Sequence, residues 1–181
     1  MKKICDEIFS AVCRADSKNS DYYNERYSEY KKELTKLDAQ FTQLSENAVR
    51  KTVVFADRFP FKYFAGDYGL DYYSAYEGCA EETEPSIAAV AELIDSVKSE
   101  QIPVVFYLEF SNRTLADTVA AETGAKPMML HSCHNVTTDE FNSGITYLEL
   151  MRRNAKALLA EYEEVIEMAN MKGYEVSYSD D

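Results

Sequence analysis

The chain has 181 residues, a length that suits one compact domain with an appendage. Its 32 acidic residues against 19 basic ones give a formal charge of −13, which argues against nucleic acid and against an anionic membrane surface, since both attract clustered Lys and Arg. Hydrophobic residues make up 46% and aromatics 13%, too many for a disordered chain and enough for a sizeable core.

No apolar run approaches the roughly 20 residues of a membrane-spanning helix. The start, Met1 to Glu7, lacks the apolar stretch of a signal peptide, so the chain as written is expected to stay in the cytoplasm. The four cysteines (Cys5, Cys13, Cys79, Cys133) stand far apart with no CxxC, and read mostly as free thiols behaving as small hydrophobes.

Residues 1–15 read as a short amphipathic helix with Ile4, Ile8, Val12 and Phe9 on one face. A polar break at 16–20 leads to Ser20, which caps a second helix to about residue 46. Tyr23, Tyr27, Tyr30, Leu34, Leu37, Phe41 and Leu44 recur on it in a strict four-three alternation. Such a seven-residue stripe suits a straight helix against another helix or a domain face.

Past residue 51 the rhythm becomes strand and helix in alternation. Strands are expected at 52–55, 70–76, 103–108 and 127–130. Between them come a short helix at 61–67 ending at Gly69, a helix capped by Ser86, and one opened by Ser111 or Asn112 and closed at Gly124. Thr137 and Glu140 form a T-x-x-E capping box before a long helix through Phe141, Ile145, Leu148, Met151, Ala155, Leu158, Tyr162, Val165 and Ala169, ended by Gly173. Residues 174–181 are a polar tail. This order predicts an α/β fold, a Rossmann-like four-stranded parallel sheet with flanking helices, preceded by a long N-terminal helix. The expected divisions are a helical segment at 1–49, an α/β lobe at 50–172 and a tail at 173–181.

Ligands of open parallel sheets bind beyond the carboxyl ends of the strands. That rule brings together Asp57 after the first strand, Glu77 to Glu84 after the second, Glu109 after the third, and His131, Cys133 and His134 after the fourth. A dinucleotide is disfavoured, because the first turn has no glycine and carries Asp57. A receiver domain lacks its paired acids. A cysteine enzyme centred on Cys133 with a histidine base is a minor reading. Metal binding fits better, since Asp57, Glu109, His131, Cys133 and His134 supply carboxylate, imidazole and thiolate. Each has a structural alternative. His131 could bond backbone, His134 could be solvated and Cys133 merely buried; Asp57 could pair with Arg58 or cap a helix, and Glu109 could be a structural acid.

Four stretches carry a resemblance: VVFADRFPFKYFAGDYGL at 53–70, EPSIAAVAELI at 84–94, LADTVAAETGA at 115–125 and YLELMRRN at 147–154. Together they resemble the solute-binding proteins of ABC importers for zinc and manganese, over residues 20 to 160. The resemblance implies the family's C-terminal lobe and the long helix that links its two lobes, without the N-terminal lobe. Residues 20–47 look like that helix. It also implies an extracytoplasmic, membrane-anchored setting, an ABC permease as partner and no enzyme activity. The family usually has a histidine where Asp57 stands and an acid where His131 stands, so the two ligand types look exchanged between loops.

Zinc is the expected ion, with manganese second, and binding is expected to be weak because half of the family's ligands are absent. With one lobe missing, part of the Tyr and Leu stripe is expected to face water, and a homodimer through residues 1–47 is the expected consequence. The rival reading is a non-catalytic α/β interaction module dimerising through the same helices.

Overall fold

The structure is a computed structural model that describes residues 1–76 and 85–171, with side chains described as far as Glu161. The acids expected beyond the second strand, Cys79, and the tail from Gly173 lie outside the described residues, as do the side chains of Tyr162, Val165 and Ala169. The chain forms two compact units, Met1–Thr42 and Gln43–Asp181.

The first unit contains helix α1 (Lys2–Ala15), a short 3-10 turn (Ser17–Asn19) and most of α2 (Ser20–Asn47). The face of α1 differs from the expected one. Phe9 stacks on Tyr27 at 4.3 Å between ring centroids, while Ile4 and Ile8 are 56% and 58% exposed. Polar groups select this rotation. The Asp6 carboxylate accepts hydrogen bonds from the Tyr27 hydroxyl and from Lys31, Asp16 accepts from the Tyr23 hydroxyl, and Lys2 pairs with Asp38. Tyr23, Tyr27 and Tyr30 of the stripe are half-buried, the first two with their hydroxyls in use, and Leu34, Leu37 and Phe41 are buried at 4%, 5% and 3% exposure.

The second unit is the α/β lobe. Strands β1 (Thr52–Phe55), β2 (Asp71–Ser74), β3 (Val104–Tyr107) and β4 (Lys126–Met129) form one parallel sheet in the order β2-β1-β3-β4. Between them lie α3 (Lys62–Tyr68), α4 (Ile87–Glu100) and α5 (Thr114–Thr123). The central strands β1 and β3 are short continuous apolar runs because both faces of the sheet are covered there, whereas the edge strands β2 and β4 are more polar and more exposed. Val54 and Val105 point to one face and pack with Leu93, Val97, Ala116 and Val119 of α4 and α5. Phe55 and Phe106, both fully buried, meet at 5.6 Å, and Phe59 and Phe61 lie against Phe55.

Local chemistry sets the helix ends. The Ser86 hydroxyl caps α4 by accepting from the Ala89 N–H, as expected. Gly69 and Gly124 close α3 and α5 at φ +63° and +79°, a conformation that costs side-chain-bearing residues a steric penalty. The long helix expected after Thr137 is in fact two. The Thr137–Glu140 capping box opens α6 (Thr138–Ser143), Gly144 ends it at φ +72°, and α7 (Tyr147–Met171) starts afresh. A second reciprocal T-x-x-E opens α7, with Thr146 and Glu149 each accepting from the other's backbone N–H. Phe141, read as a core residue, is 75% exposed as a result.

Candidate metal centre

The strand order has a reversal in it. From β1 the chain crosses to β2 on one side and later to β3 on the other, so the loops after β1 and β3 part at the carboxyl edge. Open α/β sheets place ligands in that crevice. Asp57 stands there, one residue past the Ala56 N–H that donates to the Phe106 carbonyl at 2.9 Å. One Asp57 oxygen accepts from the Leu108 N–H at 3.2 Å and the other from the Arg58 N–H at 2.7 Å. Its backbone carbonyl accepts from the Ser74 hydroxyl at 2.8 Å. Asp57 therefore ties the loop following β1 to the end of β2 and to the start of the loop following β3.

The loop after β4 is held in the same manner. Asn154 of α7, 3% exposed, grips His131 twice: its side-chain oxygen accepts from the His131 N–H and its amide donates to the His131 carbonyl, both at 2.8 Å. Glu109 accepts from the Ser132 N–H at 2.8 Å with one oxygen and from the Ser132 hydroxyl with the other. The Cys133 N–H donates to His131 Nδ1 at 2.9 Å, and the His134 N–H to the Ser132 hydroxyl oxygen at 3.2 Å. Four successive backbone amides are thus satisfied by side chains. This arrangement lets Cys133 adopt its left-handed φ of +63°.

The bonds decide what each candidate can offer. A ring nitrogen that accepts an N–H carries no proton, so His131 holds its hydrogen on Nε2. His131 is 2% exposed, and Nε2 has no partner among the described residues. Its Nδ1 lies 3.8 Å from Glu109, an approach without a proton between them and so not an ion pair. Burial, and then the Glu109 charge, push the Cys133 thiol up to about 11, which keeps it protonated at neutral pH. Such a thiol is a poor nucleophile, and the nearby imidazole nitrogen is already occupied by the Cys133 amide, so the cysteine-enzyme reading loses its base. His134 is the contrast. It is exposed, and its ring makes no hydrogen bond to a described residue.

The rim thus brings Glu109, His131 and Cys133 into one tied loop system, with Asp57 bracing the adjacent crevice and His134 facing solvent. Among the described residues no group of three or more His, Cys, Asp and Glu is gathered closely enough to hold a metal ion by itself. Sequence reasoning missed Asn154, Ser74 and Ser132. Only Asn154 carried a signal: it falls on the apolar side of α7, beside Met151, Ala155 and Leu158, where a buried amide must find partners.

Comparison with known proteins agrees with this fold. The family described as zinc-uptake complex component A, periplasmic, matches residues 1–161. The high-affinity zinc uptake system protein ZnuA of Bacillus subtilis is 29% identical over 157 residues, 87% of this chain and 49% of that protein. The zinc-binding lipoprotein AdcA of Streptococcus pneumoniae is 31% identical over 149 residues, 79% of this chain and 29% of that protein. The chain therefore spans half or less of the length of these relatives. Among solved structures, the metal-dependent lipoprotein YcdH of Bacillus subtilis superposes with a TM-score of 0.71 at 29% identity, covering 83% of this chain and 56% of that one. The Zn(II)-bound ZnuA-like domain of Streptococcus pneumoniae AdcA gives 0.70 at 27%, covering 86% and 58%. With a family match across nearly nine-tenths of its length and the parallel sheet to go with it, the chain belongs to the periplasmic zinc-uptake component A family.

Proposed function

We propose that this chain serves as the metal-capturing α/β lobe, with its linking helix, of an extracytoplasmic solute-binding protein that delivers zinc to an ABC permease, with manganese as a second cargo. The observation that carries this reading is the convergence of both histidines, Cys133, Asp57 and Glu109 on the carboxyl edge of the sheet, beside the strand reversal. The names of the relatives support it: two are zinc-uptake or zinc-binding proteins, and one solved relative is Zn(II)-bound. The lobe captures rather than catalyses.

Donors in this reading come from the loop after β4, His134 foremost. Asp57 and Glu109 shape the edge with oxygens that each already accept a hydrogen bond. Zinc needs four donors, so this lobe by itself should bind it weakly, with an affinity on the order of micromolar or poorer. Calorimetric titration with zinc tests this. His134→Ala should abolish the heat, and binding unchanged in His134→Ala, His131→Ala and Asp57→Ala alike would place the ligands elsewhere.

A homodimer through residues 1–47 is the second reading. It is favoured by one observation, the exposure of Met1, Ile4, Ile8 and Tyr22. Light scattering would show a dimer that Ile4→Glu with Ile8→Glu dissolves; a monomer at micromolar concentration rejects it.

A further inference from the structure

We infer that α1 carries a self-complementary docking stripe on its outer face, and that its occupant is α1 of a second copy of this chain, in antiparallel order. This gives a geometry to the dimer of the second reading above and rests on that reading.

The hydrogen bonds to Asp6 and the stacking of Phe9 on Tyr27 fix how α1 is rotated, and that rotation turns another side of the helix outward. Along it run Ile4, Ile8, Ala11 and Ala15, all exposed, the two isoleucines at 56% and 58%. Their spacing of four, three and four is the seam by which one helix packs on another. No residue of α1 is buried, so α2 covers only part of its apolar surface. A two-fold axis level with Phe9 and Ser10 sets Ile4 opposite Ala15 of the second copy and Ile8 opposite Ala11, with the same contacts repeated in reverse. Each large side chain then meets a small one, which lets the helices approach closely without a clash.

Charge selects the direction. Glu7 and Arg14 flank the stripe on one side, both exposed and neither with an ion-pair partner among the described residues. In the antiparallel pair Glu7 of each copy lies beside Arg14 of the other, giving two ion pairs. In a parallel pair Glu7 lies beside Val12 and meets no charge. Lys3 adds a further cation to this face, so the acid excess behind the net charge of −13 lies elsewhere, and its repulsion is screened beyond about 8 Å at physiological salt. The 14-residue helix is about 21 Å long, so the contact is small, and a dissociation constant on the order of 10 µM is expected.

Sedimentation equilibrium of the full chain from about 1 to 100 µM should show a monomer–dimer equilibrium. Glu7→Arg or Arg14→Glu alone sets like charges together twice per dimer and should weaken it about tenfold. Glu7→Arg with Arg14→Glu rebuilds both pairs in reverse and should restore it. Both positions are exposed, so these changes leave the fold intact, which far-UV circular dichroism checks. A dimer indifferent to the single swaps, or not restored by the double one, means a parallel order or another surface; the inference then fails while the dimer reading stands. A monomer throughout that range means the stripe belongs to another partner, and the inference falls together with that reading.

Discussion

The helical unit at 1–42 and the α/β lobe solve the same problem, burying an apolar face, by opposite means. In the lobe the core of the sheet is apolar: Val54, Phe55, Val104, Val105 and Phe106 are fully buried, and the buried polar residues, Ser45, His131, Asn154 and Glu161, are few. In the helical unit the seam is wet: Phe9 and Tyr27 stack, yet the hydroxyl of that tyrosine and the ammonium of Lys31 both reach Asp6. A dry core stabilises in proportion to buried area, whereas half-exposed ion pairs contribute little and are screened by salt. The lobe should therefore dominate stability, and the helical unit should open first.

Removing the most buried contact tests this most severely. Phe106→Ala empties the centre of the aromatic cluster and should cost about 3–5 kcal/mol, read from urea unfolding. A loss much below that would mean the lobe core is not the main source of stability.

The next effect is a pH dependence of opposite sign in the two units. Glu161 of α7 is 1% exposed, and burial pushes its carboxyl up to about 8 against the opposing pull of Arg50. The unfolded chain gives up that proton near 4.5 while the folded chain keeps it, so lobe stability should fall as pH rises from about 4.5 to 8 and then level off. Glu161→Gln should flatten that slope. In the helical unit the Tyr27 and Lys31 hydrogen bonds hold the Asp6 carboxyl below its usual range, so its contribution is present at neutral pH and is lost as the pH falls through that depressed value. Unfolding midpoints across pH, compared between the unaltered chain and Glu161→Gln, read the slope of the lobe.

Smaller still is Phe9→Ala. Loss of the stacked pair should cost about 1 kcal/mol and appear as faster amide exchange in α1, with the β-strand amides unaffected. Slowest exchange in α1 rather than in the strands would reverse the ranking of the two units. Asp6→Asn should have the least effect, within error of the unfolding midpoint and vanishing at high salt.

Much of this was legible in the chain itself. The alternation of short apolar runs with capped helical stretches announced a parallel sheet. The caps at Ser86 and Thr137 and the stops at Gly69 and Gly124 came out where their side chains, or lack of them, require. The carboxyl-end rule assigns Asp57, Glu109, His131 and His134 to one rim from the order of strands and loops alone. Even the break between α6 and α7 is written in Gly144 and the Thr146–Glu149 pair, although the apolar period continues through it.

What each rim residue does was a different matter. His131 and His134 are three positions apart and chemically identical, yet one is sealed against backbone and the other faces water. Asp57 and Glu109 read equally as ligands or as structural acids, and in the fold they brace loops by accepting from the Leu108 and Ser132 N–H groups. Composition and spacing determine local structure because capping, periodicity and turn chemistry act within a few residues along the chain. The division of labour between two like side chains depends on partners 23 residues away at Glu109 and Asn154, and only the packed fold brings those into reach.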